Sequence, residues 1–398
     1  MIRLAFVVPR YGPDVLGGAE TFVRQFAGHL PRREFVVTIL TTCAQDLHTW
    51  RNVFPSGEME IDGVRVLRFP VDHRRRNARL FQNLTNRANR NEPLAPEDQM
   101  AWLENAAHSP ELYHHLALHG DEYDLLIFLP YLFATTIYGS AIWSAKSVVC
   151  ACLHDEPYAR FIDVRAMLQS VKGLMFLSQP ERIFAEETLG VKHPRARVVG
   201  FGLDEFEPEP ERFRHKFGLH SPFLLYAGRL DPAKSVLQLI SYFMNYRQSR
   251  PDRELRLVLA GSGPLPLPSH PDLVAVGYLE GQDLKDAYAA ATVLCQPSLV
   301  ESLSIVLMEA WLAGTAVLVH GQCPVTSHHV SQSSGGLYFT DAAEFAGAVD
   351  WLLDHPHERQ QMAAQGRAYV RREFNWPRVY DRFRRGLSVW KMPIREAV

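Results

Sequence analysis

Residues 2–40 read IRLAFVVPRYGPDVLGGAETFVRQFAGHLPRREFVVTIL, and this stretch decides the fold. It contains two short apolar runs, Leu4–Val8 and Phe35–Leu40, separated by the helical-length segment Ala19–Leu30. Continuous apolar runs of this length are typical of strands covered on both faces, because half-exposed strands alternate apolar and polar residues. The order strand, helix, strand therefore predicts two parallel strands joined by a crossover helix.

The same alternation continues along the whole chain. Further apolar runs lie at Val64–Phe69, Leu125–Leu129, Val148–Leu153, Leu174–Leu177, Phe223–Ala227, Leu255–Ala260, Leu273–Val276, Val293–Cys295, Ala316–Val319 and Leu337–Phe339. Helical-length segments between them include Tyr131–Trp143, Glu181–Leu189, Val236–Tyr246 and Gln282–Ala291. This pattern predicts an α/β protein built from doubly wound, mostly parallel sheets.

The length of the chain and one atypical segment predict two domains. The chain has 398 residues. Because a domain has about 150 residues, this length predicts two domains. Residues 201–219 read FGLDEFEPEPERFRHKFGL, which is rich in Pro and Glu and shows no apolar periodicity. We therefore expect an interdomain linker there.

Composition excludes several classes of protein. The chain has 42 basic and 44 acidic residues, a formal charge of −2, so it lacks the positive excess of a nucleic-acid binder. The apolar run Leu4–Val8 is too short for the core of a signal peptide. The five cysteines form no CxxC pair, which is typical of a reducing compartment. We expect a cytoplasmic protein without a nucleic-acid partner.

A membrane-spanning helix is the alternative for one segment. Residues 125–145 form an uncharged run between Asp124 and Lys146, long enough to cross a bilayer. Pro130 lies near one end of this run, however, and small and hydroxyl-bearing residues follow. A buried strand, a turn and a packed helix explain the same residues, and this interpretation is favoured.

The loop after the first predicted strand is a candidate anion site. It reads YGPDVLGGAE, residues 11–20, and ends in Gly17 and Gly18 directly before the predicted helix. Glycines at a helix N-terminus let backbone amides approach an anion, and the helix dipole favours negative charge there. Taken alone, the glycine pair is more often an ordinary turn, and this alternative is favoured. The loop lacks a GxGxxG fingerprint, so a nicotinamide site has little support.

A second candidate site follows the strand Phe223–Ala227. The segment GRLDPAK, residues 228–234, places Arg229 and Lys234 at the carboxyl end of that strand, with Asp231 as the local carboxylate. Two cations there suit a diphosphate, since Arg supplies a planar fork and Lys a point charge. The alternative is a solvated loop with ordinary surface charges.

A third candidate is the pair of carboxylates in PSLVESLSIVLMEAWLAG, residues 297–314. Glu301 lies just after a predicted strand, with Ser302 or Ser304 as candidate N-caps of the following helix. Glu309 would lie two helical turns further on, and a Glu in so apolar a helix needs a partner. A ligand with hydroxyl groups at two separated points would satisfy both carboxylates. The spacing alone is a weak motif.

Histidines provide the remaining candidates. His154 follows the predicted strand Val148–Leu153, in the sequence HDEPY. The cluster of His154, Asp155 and Glu156 resembles a metal site, but consecutive loop residues rarely converge on one ion. A structural role is favoured for the pair His328–His329.

Together, the motifs GGAE, HDE, GRLDPAK and ESLSIVLME, in this order, resemble glycosyltransferase family 4. GYLEGQDLKDAYAAATVLCQPS, before the Glu pair, and the terminal REFNWPRVYDRF extend the resemblance over nearly the whole chain. The resemblance implies a GT-B fold, in which two Rossmann-like doubly wound domains face each other across a cleft and the C-terminal helix crosses back to the first domain. It also implies an acceptor-binding domain at residues 1–204, completed by about 378–398, and a donor-binding domain at residues 205–377.

The resemblance implies a retaining transferase that moves a hexose from a UDP- or GDP-sugar to a hydroxyl of a glycan, lipid-linked or small-molecule acceptor. The N-terminal half is similar to bacterial transferases of surface-polysaccharide and glycoconjugate synthesis. No metal and no cofactor beyond the nucleotide sugar is expected. The alternatives are a sugar-nucleotide epimerase or hydrolase on the same fold, and a noncatalytic sugar-nucleotide-binding protein.

The resemblance also assigns roles to single residues. His154 would lie over the sugar ring and Glu301 would bind the hydroxyls of the transferred sugar, so both are the expected catalytic residues. The expected donor-binding residues are Gly17, Gly18, Arg229, Lys234, Tyr278, Leu279, Ser304, Ile305 and Glu309. The chain departs from the family at Ser235, Ser302 and Ser304, where glycines are usual. These departures leave the donor undetermined.

A basic segment suggests one further partner. Residues 73–90, HRRRNARLFQNLTNRANR, contain six arginines and no acidic residue, with Leu80, Phe81 and Leu84 at near-helical spacing. Basic amphipathic segments bind anionic lipid, so peripheral contact with the inner face of a membrane is one hypothesis. A solvated basic loop is the alternative, and it is favoured.

Overall fold

The chain folds into two compact units, which the computed structural model describes at residues 1–15, 17–74 and 76–390. The first unit comprises residues 1–201 together with the chain from Val379 onward, and the second comprises Gly202–Arg378. The last helix begins in the second unit and ends in the first. Residues 391–398, which belong to the expected completion of the first domain, lie outside the described residues.

The first unit contains an eight-stranded sheet in the order β3-β4-β2-β1-β5-β6-β7-β8. Its strands are β1 Ile2–Val7, β2 Phe35–Thr42, β3 Gly57–Ile61, β4 Val64–Phe69, β5 Leu125–Phe128, β6 Ser147–Cys150, β7 Gly173–Phe176 and β8 Ala196–Val198. Its helices are α1 Gly18–His29, α2 Ala78–Asn89, α3 Pro96–Glu104, α4 Pro110–His119, α5 Ala134–Ile142, α6 Ile162–Ser170 and α7 Gln179–Ile183, the last continued by a π-helical turn, Phe184–Thr188.

The second unit contains a six-stranded parallel sheet in the order β11-β10-β9-β12-β13-β14. Its strands are β9 Phe223–Ala227, β10 Arg256–Ala260, β11 Leu273–Gly277, β12 Val293–Gln296, β13 Val317–His320 and β14 Gly336–Phe339. Its helices are α8 Pro210–Phe217, α9 Val236–Ser249, α10 Gly281–Ala290, α11 Ile305–Ala313, α12 Pro324–Ser333, α13 Ala342–Asp354 and α14 Pro356–Glu373, and α15 Trp376–Val389 leads back to the first unit.

The predicted crossover of residues 2–40 is confirmed. β1 pairs in parallel with β2, with Leu4 opposite Val37, and on its other side with β5, with Leu4 opposite Leu125. The side chains of Leu4–Val8 are at most 1% exposed, as expected for a central strand covered on both faces. Both sheets are therefore of the doubly wound type that the apolar runs predict.

Two strands at the edges of the first sheet, β3 and β8, are not predicted by the apolar runs. β3 alternates charged and apolar residues in GEMEI and pairs with β4 in the antiparallel direction, so it lacks the continuous apolar run of a central strand. The turn that joins β3 to β4 uses Asp62 and Gly63, both with positive φ. β8 has only three residues and is too short for a pattern to reveal it.

The predicted linker at residues 201–219 is wrong in part, because α8 lies within it. Pro210 occupies the first turn of this helix, and Gly218 ends it in the left-handed conformation. Phe213 is the buried apolar residue of this helix. A single buried apolar residue gives no repeating pattern, so the helix could not be predicted from periodicity. The contact-based division falls after Phe201 rather than after residue 204.

The uncharged run at residues 125–145 forms β5, a turn and α5, as the favoured interpretation predicts. α5 begins at Ala134, after Pro130. Over the described residues, no helix combines the length and the apolar character needed to cross a bilayer.

Candidate functional site

The sheet of the second unit has a switch point between β9 and β12. From β9 the chain continues to β10 and β11 on one side, whereas β12 is followed by β13 and β14 on the other side. In doubly wound sheets, ligands bind outside the carboxyl ends of the strands at such a point, because the two loops there diverge. Arg229 and Lys234 follow β9, and Glu301 follows β12.

The structure brings Lys234 and Glu301 together at this point. Lys234 Nζ lies 2.7 Å from Glu301 Oε1, and the two side chains are 23% and 12% exposed. Gln296, at the end of β12, places its side-chain amide nitrogen 3.5 Å from the same oxygen. A mostly buried ion pair at the mouth of a sheet can bind both an anion and a hydroxyl group.

Close backbone packing supports the loop that carries these cations. Gly228 N donates to Ala260 O at 2.9 Å, and Leu230 N donates to Ser262 O at 2.9 Å. A Cβ atom added to Gly261 would lie 1.8 Å from Gly228 O, so only glycine fits at this position. The loop after β9 therefore lies directly against the loop after β10 and is held by main-chain contacts.

Arg229 is placed differently from Lys234. Its side chain is 70% exposed, and its guanidinium lies 3.7 Å from Asp231, a weak pairing at the surface. Asp231 also accepts a hydrogen bond from Ala233 N at 2.9 Å. Arg229 can therefore bind an anionic ligand without giving up a strong contact. Lys234, in contrast, would have to contact the ligand and Glu301 at the same time.

Glu309 has a partner within the protein. Its Oε2 accepts a hydrogen bond of 3.0 Å from the hydroxyl of Tyr288 on α10. Burial raises the pKa of Glu309 to about 7, and the hydrogen bond from Tyr288 opposes this rise. The expectation that Glu309 lies two helical turns beyond Glu301 is wrong, because α11 begins only at Ile305 and Glu301 lies in the preceding loop.

Serines occupy left-handed positions at the N-termini of two helices. Ser304 precedes α11 with φ 66°, and Ser235 precedes α9 with φ 56°. Neither side chain caps its helix, contrary to the expectation for Ser304, because a left-handed residue directs its side chain away from the first amides. The Ser304 hydroxyl is buried and has no hydrogen-bond partner among the described residues. Ile305 is the first residue of α11.

The other two predicted residues of this unit follow β11. Tyr278 is 49% exposed and Leu279 is 7% exposed. β11 is an edge strand, and β10 and β9 lie between it and β12 in the sheet.

In the first unit, Gly17 and Gly18 lie at the N-terminus of α1, after the central strand β1. The sheet of this unit has its own switch point there, between β1 and β5. Sequence reasoning missed the buried ion pair of Arg10 and Glu20, 2.6 Å apart, that lies beside these glycines. A Cβ atom on Gly17 would lie 2.0 Å from a Glu20 carboxylate oxygen, which explains the glycine.

His154 lies in the loop after β6, in contact with Glu156. His154 Nδ1 is 3.4 Å from Glu156 Oε1, and the two side chains are 30% and 23% exposed. The buried Tyr131 hydroxyl donates to the same oxygen of Glu156. Asp155 points elsewhere and pairs with Arg160 at 2.6 Å. Among the residues that the structure describes, no group of three His, Cys, Asp or Glu side chains could hold a metal ion.

Glu181 is a buried carboxylate that sequence reasoning also missed. Its two oxygens accept hydrogen bonds from Leu153 N at 2.7 Å and from Leu177 N at 2.6 Å. Burial raises its pKa to about 8, and these backbone hydrogen bonds oppose the rise. Glu181 therefore ties the loop that precedes His154 to the end of β7. Its only sequence signal is a Glu three residues after Ser178, which caps α7.

The pair His328–His329 has a structural role, as favoured. His329 is 2% exposed, and its Nδ1 lies 2.9 Å from the Tyr369 hydroxyl. Burial lowers the pKa of His329 to about 3, so the ring is neutral at physiological pH.

Comparison with known proteins relates the second unit to glycosyltransferases. Residues 221–355, which contain the loops after β9 and β12, match the model of the family described as "Glycosyl transferases group 1". This part of the chain is therefore similar to the group 1 glycosyltransferases. The described fold agrees, since solved glycosyltransferases of the GT-B type superpose on it. One is Anabaena HepE in complex with UDP-glucose, with a TM-score of 0.71, 17% identity and coverage of 98% of this chain and 100% of that one.

Curated relatives include a D-inositol 3-phosphate glycosyltransferase of Catenulispora acidiphila, 28% identical over 56% of this chain and 57% of the relative. An uncharacterized glycosyltransferase of Methanocaldococcus jannaschii is 21% identical over 95% of this chain and 96% of its own length. The chain spans about half the length of the first curated relatives it matches. The resemblance to glycosyltransferases that the four motifs predict is confirmed, and so is the predicted GT-B fold.

Proposed function

We propose that this protein is a retaining glycosyltransferase that transfers a hexose from a UDP- or GDP-sugar to a hydroxyl of a glycan, lipid-linked or small-molecule acceptor. The observation that carries the proposal is the contact between Lys234 and Glu301 at the switch point of the second sheet. The pair places a cation for a diphosphate and a carboxylate for sugar hydroxyls side by side. HepE, which shares the fold, is known in complex with UDP-glucose.

The main chemical requirement is stabilisation of the diphosphate leaving group. When the bond between the sugar and the diphosphate breaks, negative charge grows on the diphosphate and positive charge on the sugar. We assign Lys234 and Arg229 to the diphosphate, together with the N-terminal amides of α11 next to Ser304 and Ile305. The side chain of Ser304 does not cap that helix end, so the amides there can meet an anion. Preorganised cations stabilise the transition state where this charge develops.

Two carboxylates would hold the rest of the donor. Glu301 would accept hydrogen bonds from hydroxyls of the transferred sugar, and Glu309 would accept one from the ribose. Tyr278 and Leu279 would lie along the base, and Tyr278 is 49% exposed. Carboxylates suit hydroxyl groups because an ionised carboxylate only accepts hydrogen bonds.

Residues of the first unit would complete the reaction. Gly17 and Gly18 would offer backbone amides to the diphosphate, and His154 would contact a hydroxyl of the transferred sugar. The acceptor hydroxyl would attack from the face that the leaving group vacates, and a phosphate oxygen would take its proton. No protein base and no metal ion is then needed, because cationic side chains hold the diphosphate.

A separate part of the proposal is contact with a membrane. We place the protein in the cytoplasm, with peripheral contact through residues 73–90. Within this segment Arg87 pairs with Asp98 at 2.9 Å, and Arg76 donates to Asn105 O. Arg74 and Arg79 are exposed, whereas Arg75 lies outside the described residues. Flotation with anionic liposomes tests the idea, and equal recovery of the wild type and an Arg79→Ser variant contradicts it.

Calorimetric titration with UDP, GDP, ADP and TDP, first in EDTA and then with magnesium, tests the main proposal. We expect micromolar binding of one nucleotide, insensitive to EDTA and lost in Lys234→Ala. Lys216→Ala is the matched control, because this lysine pairs with Asp283 on the surface, away from the switch point. If no nucleotide binds, or if Lys234→Ala binds as tightly as the control, the donor site is assigned wrongly.

Product analysis separates the alternatives. A transferase consumes the donor that the titration identifies and forms a glycosylated acceptor. An epimerase or hydrolase on this fold would change or cleave the donor without an acceptor. A noncatalytic binding protein would turn over no donor faster than Lys234→Ala does.

A further inference from the structure

Three side chains of the first unit form a chain of contacts that ends at His154. The hydroxyl of Tyr131 donates to Glu156 Oε1, and His154 Nδ1 lies 3.4 Å from the same oxygen. Tyr131 is 1% exposed, whereas Glu156 and His154 are partly exposed. The contacts therefore run from the core to the surface of this unit.

The two edges of the His154 ring differ. Nδ1 is buried, and it has no hydrogen-bond partner among the described residues, although the Glu156 carboxylate is its ion-pair neighbour. The side chain as a whole is 30% exposed, so the ring presents atoms other than Nδ1 to solvent. A neutral imidazole carries its proton on one nitrogen and a lone pair on the other.

Electrostatics decides which nitrogen carries the proton. A lone pair on Nδ1 would face the negative oxygen of Glu156 and be repelled, whereas an N–H there is attracted. Glu156 is in turn held by the Tyr131 hydroxyl, which keeps its proton because burial, and next the charge of Glu156, raises the pKa of Tyr131 well above its usual range. Glu156 is therefore oriented before any ligand binds.

We propose that Glu156 is a positioning residue that keeps the His154 proton on Nδ1, so that Nε2 accepts a hydrogen bond from a hydroxyl of the transferred sugar. The role of His154 toward the sugar rests on the proposed function, but the state of the free ring does not. This assignment makes His154 an acceptor at its exposed edge. A sugar bearing a hydroxyl at that point is bound better than one lacking it, since the lone pair of Nε2 otherwise loses its partner.

The neighbouring charges do not substitute for Glu156. Asp155 is engaged with Arg160 at 2.6 Å, and Arg160 reaches Glu156 only at its backbone carbonyl. Glu181 acts on the backbone, through Leu153 N, and does not set the protonation of the ring. Asp155→Asn is thus a matched control, since it removes a carboxylate from the same loop without touching the Tyr131–Glu156–His154 contacts.

The test is a long-range ¹H–¹⁵N spectrum of the imidazole rings of the full chain, recorded without substrate at a pH where the rings are neutral. The His154 signals are assigned by their loss in His154→Gln. We expect the Nδ1–H tautomer in the wild type and in Asp155→Asn. Glu156→Ala is expected to shift the ring toward Nε2–H, and Glu156→Gln, which keeps one acceptor oxygen, to give an intermediate result. Tyr131→Phe tests the orientation of Glu156 without removing its charge.

An Nε2–H tautomer in the wild type overturns the proposal, and so does a tautomer ratio that is the same in the wild type and both Glu156 variants. Once the donor is known, Glu156→Gln is expected to lower kcat/KM at least tenfold, because Nε2 of His154 then accepts less well from the sugar hydroxyl. Failure to turn over any donor contradicts the proposed function and leaves the tautomer result intact. The two proposals therefore fail separately.

Discussion

Lys234 and Glu301 lie 67 residues apart in sequence, yet their charged groups are 2.7 Å apart. Because β9 and β12 are neighbours, their carboxyl ends deliver a cation and a carboxylate to one point. Neither residue is fully accessible, so each compensates the charge of the other in the free protein.

Substitution at this pair is expected to separate binding from turnover. Lys234→Ala should weaken nucleotide binding and turnover together, by roughly tenfold or more in each, because it removes the cation from the diphosphate. Glu301→Ala should lower kcat more than nucleotide affinity, because the proposed contact of Glu301 with the donor is with the sugar and not with the nucleotide. Calorimetry with the bare nucleotide and steady-state kinetics with the full donor measure the two effects. Wild-type activity in both variants contradicts the assignment.

The raised pKa of Glu309 predicts a pH dependence of stability. Its pKa is about 7 in the folded protein against an ordinary value of 4.5, so the folded state binds its proton more tightly. Its contribution to stability is therefore fully present below pH 4.5 and decreases as the pH rises toward 7. Glu309→Gln cannot ionise and should lack this decrease.

The measurement is the midpoint of urea unfolding for the wild type and Glu309→Gln at several pH values. The difference between the two proteins isolates Glu309 from other titrating groups. We expect the variant to become relatively more stable as the pH rises from 4.5 to 7. A constant difference over this window contradicts the prediction.

Removal of the Glu181 carboxylate is expected to destabilise the first unit. Glu181→Ala leaves the buried amides of Leu153 and Leu177 without acceptors, and the free energy of unfolding should fall by about 2–4 kcal/mol. The control is Glu186→Ala, whose surface pair with Arg182 contributes roughly 0.5 kcal/mol or less. Chemical unfolding measures the free energy of unfolding of both variants. If it falls equally in the two, Glu181 is not a structural hydrogen-bond acceptor.

Relief of the left-handed strain at Ser304 is expected to stabilise the second unit. A side chain at φ 66° is disfavoured, and the buried hydroxyl lacks a partner among the described residues. Ser304→Gly removes both costs and should raise the free energy of unfolding by about 1 kcal/mol. The greater conformational freedom of glycine in the unfolded chain reduces this gain. Ser302→Gly is the control, because Ser302 is not left-handed and should gain nothing. The prediction is wrong if the Tm of Ser304→Gly in thermal unfolding is equal to or lower than that of this control.

Local patterns were enough to predict the architecture. The apolar run Phe223–Ala227 is β9 itself, and Val236–Tyr246 lies within α9. These elements are visible in sequence because burial on both faces of a strand demands a continuous apolar run. The edge strand β3 and helix α8, which has a single buried apolar residue, were not predicted because partial exposure removes that demand.

The sequence by itself also determined which residues follow the carboxyl ends of the strands, and with them most of the candidate residues. Only the tertiary structure decided which of them meet. Three sets of contacts depend on strand order and helix packing. They are the contact of Lys234 with Glu301, the contact of Tyr288 with Glu309, and the contacts of Glu156 with both Tyr131 and His154. The physical reason is that periodicity reports the environment of each residue, whereas contacts between distant side chains depend on which strands and helices become neighbours.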